Sequence, residues 1–164
     1  MQGQPEVYQR LNELGIVFEY TEHPPVPTIE EAVKYWKTDD SAHCKNLFFR
    51  NHKGDRHYLV LLDHRQQLNI HDLEKRLKQG KLSFASEQRM QKYLGLKPGS
   101  VSPFGLINDK DKHVHVFIDQ TLQQHRRIAF HPNLNTATLY LDFNDFMKYI
   151  SNTGNTFEFI QLFE

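Results

Sequence analysis

Residues 44–63 read CKNLFFRNHKGDRHYLVLLD, and the folding of the rest of the chain follows from them. Cys44 to Arg50 and Tyr58 to Asp63 have the composition of two strands. Asn51-His52-Lys53-Gly54-Asp55 between them is a set of turn formers, so the pair reads as a hairpin. Tyr58 to Leu62 is apolar without interruption, as a strand covered on both faces must be. In the first strand, alternation puts Lys45 with Leu47 and Phe49 on one face and Asn46 with Cys44 and Phe48 on the other. Both faces are otherwise apolar, so one of the two polar side chains must enter the interior or its mouth. A lysine goes there unpaired only at high cost. Lys45 is thus either a strand-end lysine that snorkels to water or an anchor for a phosphate or carboxylate.

Working outward, Val7, Leu11 and Leu14 recur at helical spacing, which predicts a helix over Pro5 to Leu14 with Gly15 as its stop. A strand over Val17 to Tyr20 precedes His23-Pro24-Pro25-Val26-Pro27, which can be neither helix nor central strand. Thr28, followed by Glu30 and Glu31, predicts the N-cap of a second helix. Beyond the hairpin the pattern predicts a helix over Asp72 to Gln79 ended by Gly80, a short strand Leu82 to Ala85, a helix Ser86 to Leu94 stopped by Gly95, and a loop Lys97 to Asn108. A strand Val114 to Asp119, a strand pair Arg127 to His131 and Thr136 to Leu141, a helix Asp142 to Ile150 and a last strand Phe157 to Leu162 complete the chain. Strands and helices mix without a regular alternation, and there is no repeat or linker. The expectation is one α/β (mixed α+β) domain over residues 1–164, its central, mostly antiparallel, barrel-like sheet flanked by helices.

Composition narrows the function classes. The chain's 164 residues suffice for one core, and 12 Phe with 7 Tyr make it aromatic. With 20 acidic and 20 basic side chains, any contact with nucleic acid must come from a local patch. A single cysteine excludes an internal disulfide and Cys-based zinc motifs. No apolar run reaches membrane-spanning length and no signal pattern opens the chain, so a cytoplasmic protein without membrane attachment is expected.

Two further segments could carry chemistry with Lys45. Gly99-Ser100-Val101-Ser102-Pro103-Phe104-Gly105 frees the backbone for close approach to a ligand, though an ordinary surface turn has the same composition. His131, at a strand end before Pro132-Asn133, suits either a packed histidine or a partner for substrate or water. His113 and His115 share a strand face but have no third ligand at metal spacing. Cys44 fits a buried small hydrophobe better than a nucleophile. No G-x-S-x-G elbow is present. Lys75, Arg76, Lys78 and Lys81, and separately Lys34, Lys37 and Lys53, read as solvated faces that could touch an RNA backbone.

Taken in order, the segments resemble the prolyl-tRNA editing (YbaK/prolyl-tRNA synthetase-associated domain) superfamily. The matching stretches are His23-Pro24-Pro25 with Thr28-x-Glu30-Glu31-Ala32, His43-Cys44-Lys45-Asn46-Leu47-Phe48, Leu82-Ser83-Phe84-Ala85-Ser86, Leu94-Gly95-Leu96-x-Pro98-Gly99-Ser100-Val101-Ser102-Pro103, Gly105-Leu106-Ile107-Asn108-Asp109 and His131-Pro132-Asn133-x-Asn135-Thr136-Ala137-Thr138. Lys-Asn-Leu-Phe with Pro-Gly-Ser-Val-x-Pro resembles the free-standing alanyl-tRNA(Pro) deacylase branch. Ser102 stands where threonine is commoner. The resemblance implies hydrolysis of alanine from mischarged tRNA(Pro), with no cofactor and no metal. It places Lys45, Asn46, Gly99 and His131 in catalytic roles, and Ser100, Val101, Ser102, Pro103 and Asn135 on the substrate. Val26, Thr28 and Ile29 follow the Pro-rich loop and are candidates for the wall that limits side-chain size. The implied partners are the alanine-bearing acceptor end of tRNA(Pro) and prolyl-tRNA synthetase. A deacylase for serine or cysteine and a non-catalytic module binding aminoacyl-tRNA are the competing readings.

Overall fold

A computed structural model describes residues 1–25, 33–36, 39–67 and 69–162. The strands are β1 (Phe18–Glu22), β2 (Ser41–Asn51), β3 (His57–Asp63), β4 (Leu82–Phe84), β5 (His115–Asp119), β6 (Arg127–Phe130), β7 (Ala137–Asp142) and β8 (Phe157–Ile160). The helices are α1 (Pro5–Glu13), α2 (Ile70–Leu77), α3 (Glu87–Leu94) and α4 (Phe143–Thr153). The hairpin forms as its sequence dictates: β2 and β3 are antiparallel, from Cys44 opposite Asp63 to Arg50 opposite His57. Every residue of β3 is buried, which its unbroken apolar run required.

The hairpin lies at the middle of a mixed sheet ordered β1-β7-β6-β2-β3-β5-β8, with β4 paired to β2 off this path. The β1–β7, β6–β7, β2–β3 and β2–β4 pairs are antiparallel, while β2–β6, β3–β5 and β5–β8 are parallel. The fold is thus mixed α+β with helices flanking the sheet. The expected barrel-like closure is not found, since among the described residues the path ends at β1 and β8 without joining them.

Apolar side chains divide between the two faces of β2 and β3. Phe48, Leu59 and Leu61 join the larger cluster, with Phe104, Phe146 and Tyr149. Phe49, Val60 and Leu62 join a smaller one, with Leu73 and Leu77 of α2. The helix ends follow local chemistry. The Asn69 side chain accepts from the Asp72 amide and the Ser86 side chain from the Arg89 amide, while Gly95 and Gly154 turn left-handed at the ends of α3 and α4.

Several boundaries differ from expectation. Lys78, at φ 56°, ends α2 ahead of Gly80. β1 starts at Phe18, leaving Val17 exposed, because its register is set by β7. β2 starts at Ser41 because residues 41–43 gain a partner in β6. Residues 103–108 form a 3-10 helix rather than open loop, since Pro103 occupies its first turn and Ser102 caps it. The start of the helix expected at Thr28 lies outside the described residues; of the described ones that follow, Val33–Tyr35 form a 3-10 turn.

One consequence of this topology positions the site. β3 occupies one edge of β2 from Cys44 to Arg50. On the other edge, β6 pairs only with Ser41–His43 and β4 only with Phe49–Asn51. Among the described residues, no strand covers that edge between Cys44 and Leu47.

Candidate active site

The uncovered edge carries Lys45 and Asn46. Lys45 Nζ donates to the Gln66 carbonyl oxygen at 2.9 Å, in the turn that follows β3. An ammonium has three donors, and this bond, which fixes its direction, uses one of them; among the described residues it has no other partner. Asn46 points to the opposite face, where its Nδ2 donates to the Val101 carbonyl oxygen at 3.1 Å. That contact ties the strand directly to the Gly99–Pro103 loop. Asn46 Oδ1 is buried and has no hydrogen-bond partner among the described residues. A buried acceptor of this kind carries a desolvation cost and calls for a donor.

The loop is anchored from behind. Ser102 is fully buried, and its hydroxyl accepts from the Phe104 amide at 3.1 Å. Pro103 is buried, and its carbonyl oxygen accepts from the Tyr149 hydroxyl at 2.8 Å inside the core. Ser102 and Pro103 therefore shape the loop. Gly99 is exposed at φ 85°, a conformation that favours glycine. The Ser100 amide closes a turn onto the Lys97 carbonyl, and Val101 packs partly buried against the larger cluster.

His131 follows the last residue of β6. Its Nδ1 lies 2.8 Å from the Ala137 carbonyl oxygen. A carbonyl only accepts, so Nδ1 carries the proton and Nε2 of the neutral ring keeps its lone pair. Burial pushes the His131 pKa below its usual 6.5, partly offset by that same bond, so the ring is neutral at pH 7. His43 opposite Ala129 is the last pair of the parallel β2–β6 ladder, and His131 follows two residues after that pair. The next loop returns to the glycine segment, for Asn133 Nδ2 donates to the Phe104 carbonyl oxygen at 3.4 Å. Asn46 and the glycine loop thus meet beside the uncovered edge, and Lys45 leaves the same stretch of strand on the other face. Asn135 is half-buried and makes no hydrogen bond among the described residues. Val26, Thr28 and Ile29 lie outside the described residues.

The remaining candidates separate from this site. His113 is hydrogen-bonded to His57, and His115 to Thr156 and Glu158, and the described residues contain no cluster of three metal-ligating side chains. Burial raises the Cys44 thiol pKa well above its ordinary value, which suits a packed residue and not a thiolate nucleophile. The sequence reading missed Gln66, Tyr149 and the rings of Trp36 and His43. The Gln66 carbonyl and the Tyr149 contact have no side-chain signature, while His43 was visible only as the neighbour of Cys44.

Comparison with known proteins shows the family of this chain. A family model described as the aminoacyl-tRNA editing domain matches residues 23–149. The chain belongs to the aminoacyl-tRNA editing domain family. Editing is hydrolysis of the ester between amino acid and tRNA, so the protein is an aminoacyl-tRNA deacylase. It is 43% identical to the prolyl-tRNA editing protein ProX of Acetoanaerobium sticklandii, over 99% of both chains. It is 37% identical to prolyl-tRNA synthetase associated domain-containing protein 1 of Bos taurus, over 90% of this chain and 88% of that one. The crystal structure of hypothetical protein APE2540 shares the fold, with TM-score 0.72 and 17% identity over 94% of this chain and 98% of that one. Among the described residues, no helix of this editing domain is long and apolar enough to cross a membrane.

Proposed function

We propose that this deacylase removes alanine from mischarged tRNA(Pro), by direct attack of water on the aminoacyl ester. The observation that carries this reading is the buried, unpartnered Asn46 Oδ1 beside the glycine loop, on a strand edge that also bears a directed lysine. An aminoacyl ester is already activated, so orientation and oxyanion stabilisation can supply much of the rate. Lys45 would hold the phosphate of the terminal nucleotide with its two remaining donors. Asn46 Oδ1 would accept from the substrate's ammonium group or from the attacking water. Backbone N–H groups of Gly99 and Val101 would face the ester carbonyl, and His131 Nε2 would accept a hydrogen bond from water. The vicinal ribose hydroxyl would assist, with no covalent enzyme intermediate, because Cys44 is packed and the Ser102 hydroxyl caps a helix.

Selectivity by size supports alanine, since a small pocket rejects the larger proline ring while a missing methylene is worth only about 1–3 kcal/mol. Val101 is the described candidate for that wall, with Val26, Thr28 and Ile29 proposed beside it. The names of the relatives, a prolyl-tRNA editing protein and a prolyl-tRNA synthetase associated domain-containing protein, support tRNA(Pro) as substrate and prolyl-tRNA synthetase as partner.

The test is deacylation of alanyl-, seryl-, cysteinyl- and prolyl-tRNA(Pro) by the wild type and by Lys45→Ala. Alanine should be released fastest and proline spared. Lys45→Ala should lose about 100-fold in kcat/KM, the scale of a lost buried charged contact of about 3 kcal/mol. Preference for cysteine or serine would replace the substrate assignment, and an unaffected Lys45→Ala enzyme would remove Lys45 from the site.

A further inference from the structure

The face of β2 that carries Lys45 also carries an aromatic stack that the mechanism does not use. Trp36, the only tryptophan of the chain, lies flat on the His43 ring, with centroids 3.9 Å apart and planes 9° apart. His64 meets the Trp36 ring edge-on at 4.5 Å. Tyr140 meets His43 edge-on at 5.7 Å from below. The His64 amide donates to the His43 carbonyl oxygen at 2.9 Å, so the backbone that bears the second ring is locked to β2. Trp36 itself stays half-buried, with one face covered by His43 and, among the described residues, no ring stacked on the other. His43 and Lys45 are two residues apart on one strand face, about 7 Å along it.

Packing alone does not account for this arrangement. His43 is 8% exposed, and its Nε2 has no hydrogen-bond partner among the described residues. A histidine placed only to fill space would leave that cost unanswered, whereas phenylalanine would not. Burial, with His64 nearby, holds the His43 pKa down to about 4, so the ring beneath Trp36 is neutral. The result is a flat, uncharged support that fixes the plane of an indole beside a cation. Every nucleobase has a π-face for such a surface, and every nucleotide has a phosphate for the cation.

We infer that Trp36, supported by His43, is a stacking platform for the base of the 3′-terminal nucleotide whose phosphate Lys45 holds. This rests on the editing reading for the identity of the RNA. Trp36 is a binding residue here, and His43 a positioning residue that acts through it.

The sole tryptophan provides its own probe. An uncharged acceptor-stem minihelix ending in CCA should quench Trp36 emission on titration, and the same RNA lacking the terminal A should quench it much less. With alanyl-minihelix as substrate, Trp36→Leu should raise KM by about 10-fold at little change in kcat, the scale of one lost base stack, while Trp36→Phe keeps KM within about threefold. Unchanged emission at RNA saturation, or Trp36→Leu with wild-type KM, overturns the platform. The fluorescence arm needs no variant, so it decides the question even where Trp36→Leu folds poorly. A wild type that is quenched by CCA-ended RNA but hydrolyses no ester would uphold the platform while defeating the editing reading. An active enzyme whose emission ignores the RNA would do the reverse.

Discussion

Replacing His57 by glutamine should flatten the acid side of the protein's stability profile. His57 is 1% exposed and lies between two hydrogen-bond partners. Arg89 approaches its Nε2 at 3.0 Å, and His113 Nε2 lies 2.9 Å from its Nδ1. A guanidinium only donates, so His57 Nε2 must keep its lone pair. Nδ1 then carries the proton and donates to His113. A second proton on His57 would face Arg89 directly. Burial first, then His113 and Arg89, press its pKa from 6.5 down to about 4. The unfolded chain takes up that proton near 6.5 and the native chain only near 4. Stability is therefore full above about 6.5 and falls as pH drops toward about 4. The gap corresponds to about 3 kcal/mol from this one group. Glutamine can accept from Arg89 and donate to His113 without titrating. Urea unfolding of wild type and His57→Gln at pH 7.5, 5.5 and 4 isolates the difference, since the carboxylates contribute alike to both. The wild type should lose about 3 kcal/mol more than the variant across that range. Parallel profiles would refute the reasoning, and would mean that His57 is protonated in the folded state as readily as in the unfolded one.

His131→Ala should reduce deacylation by about 10-fold, less than Lys45→Ala, because water can replace part of a lost acceptor. Since burial holds the His131 pKa below 6.5, wild-type activity should stay flat as pH falls through 6.5, and a pH–rate profile checks this. Gly105→Ala would bring a Cβ to 3.0 Å from the Leu94 carbonyl oxygen and 2.7 Å from a Leu96 methyl. The methyl can move but the backbone cannot, so a loss of about 1–3 kcal/mol is expected in thermal or urea unfolding. Tyr149→Phe leaves the Pro103 carbonyl unpaired in the core, which should cost about 1–2 kcal/mol and raise KM as the glycine loop loosens.

What could be read from the chain alone was governed by neighbours in sequence. Turn formers at residues 51–55 gave the hairpin, and an unbroken apolar run made β3 central. Ser86 and Gly95 delimited α3 by their own hydrogen bonds and backbone freedom. Strict alternation put Lys45 and Asn46 on opposite faces, and order along the chain carried the resemblance to the editing family. Contacts between distant segments were beyond that reach. Whether β2 would be covered between Cys44 and Leu47 depends on where β6 and β4 stop, more than thirty residues of chain away from it in one case and more than eighty in the other. The Asn46–Val101 bond, the Gln66 carbonyl that aims Lys45 and the Trp36–His43 stack arise only when those segments pack. Local propensity names the groups that can act, but only tertiary packing decides which of them share a space, because a hydrogen bond or a stacked ring is set by distance in three dimensions and not along the chain.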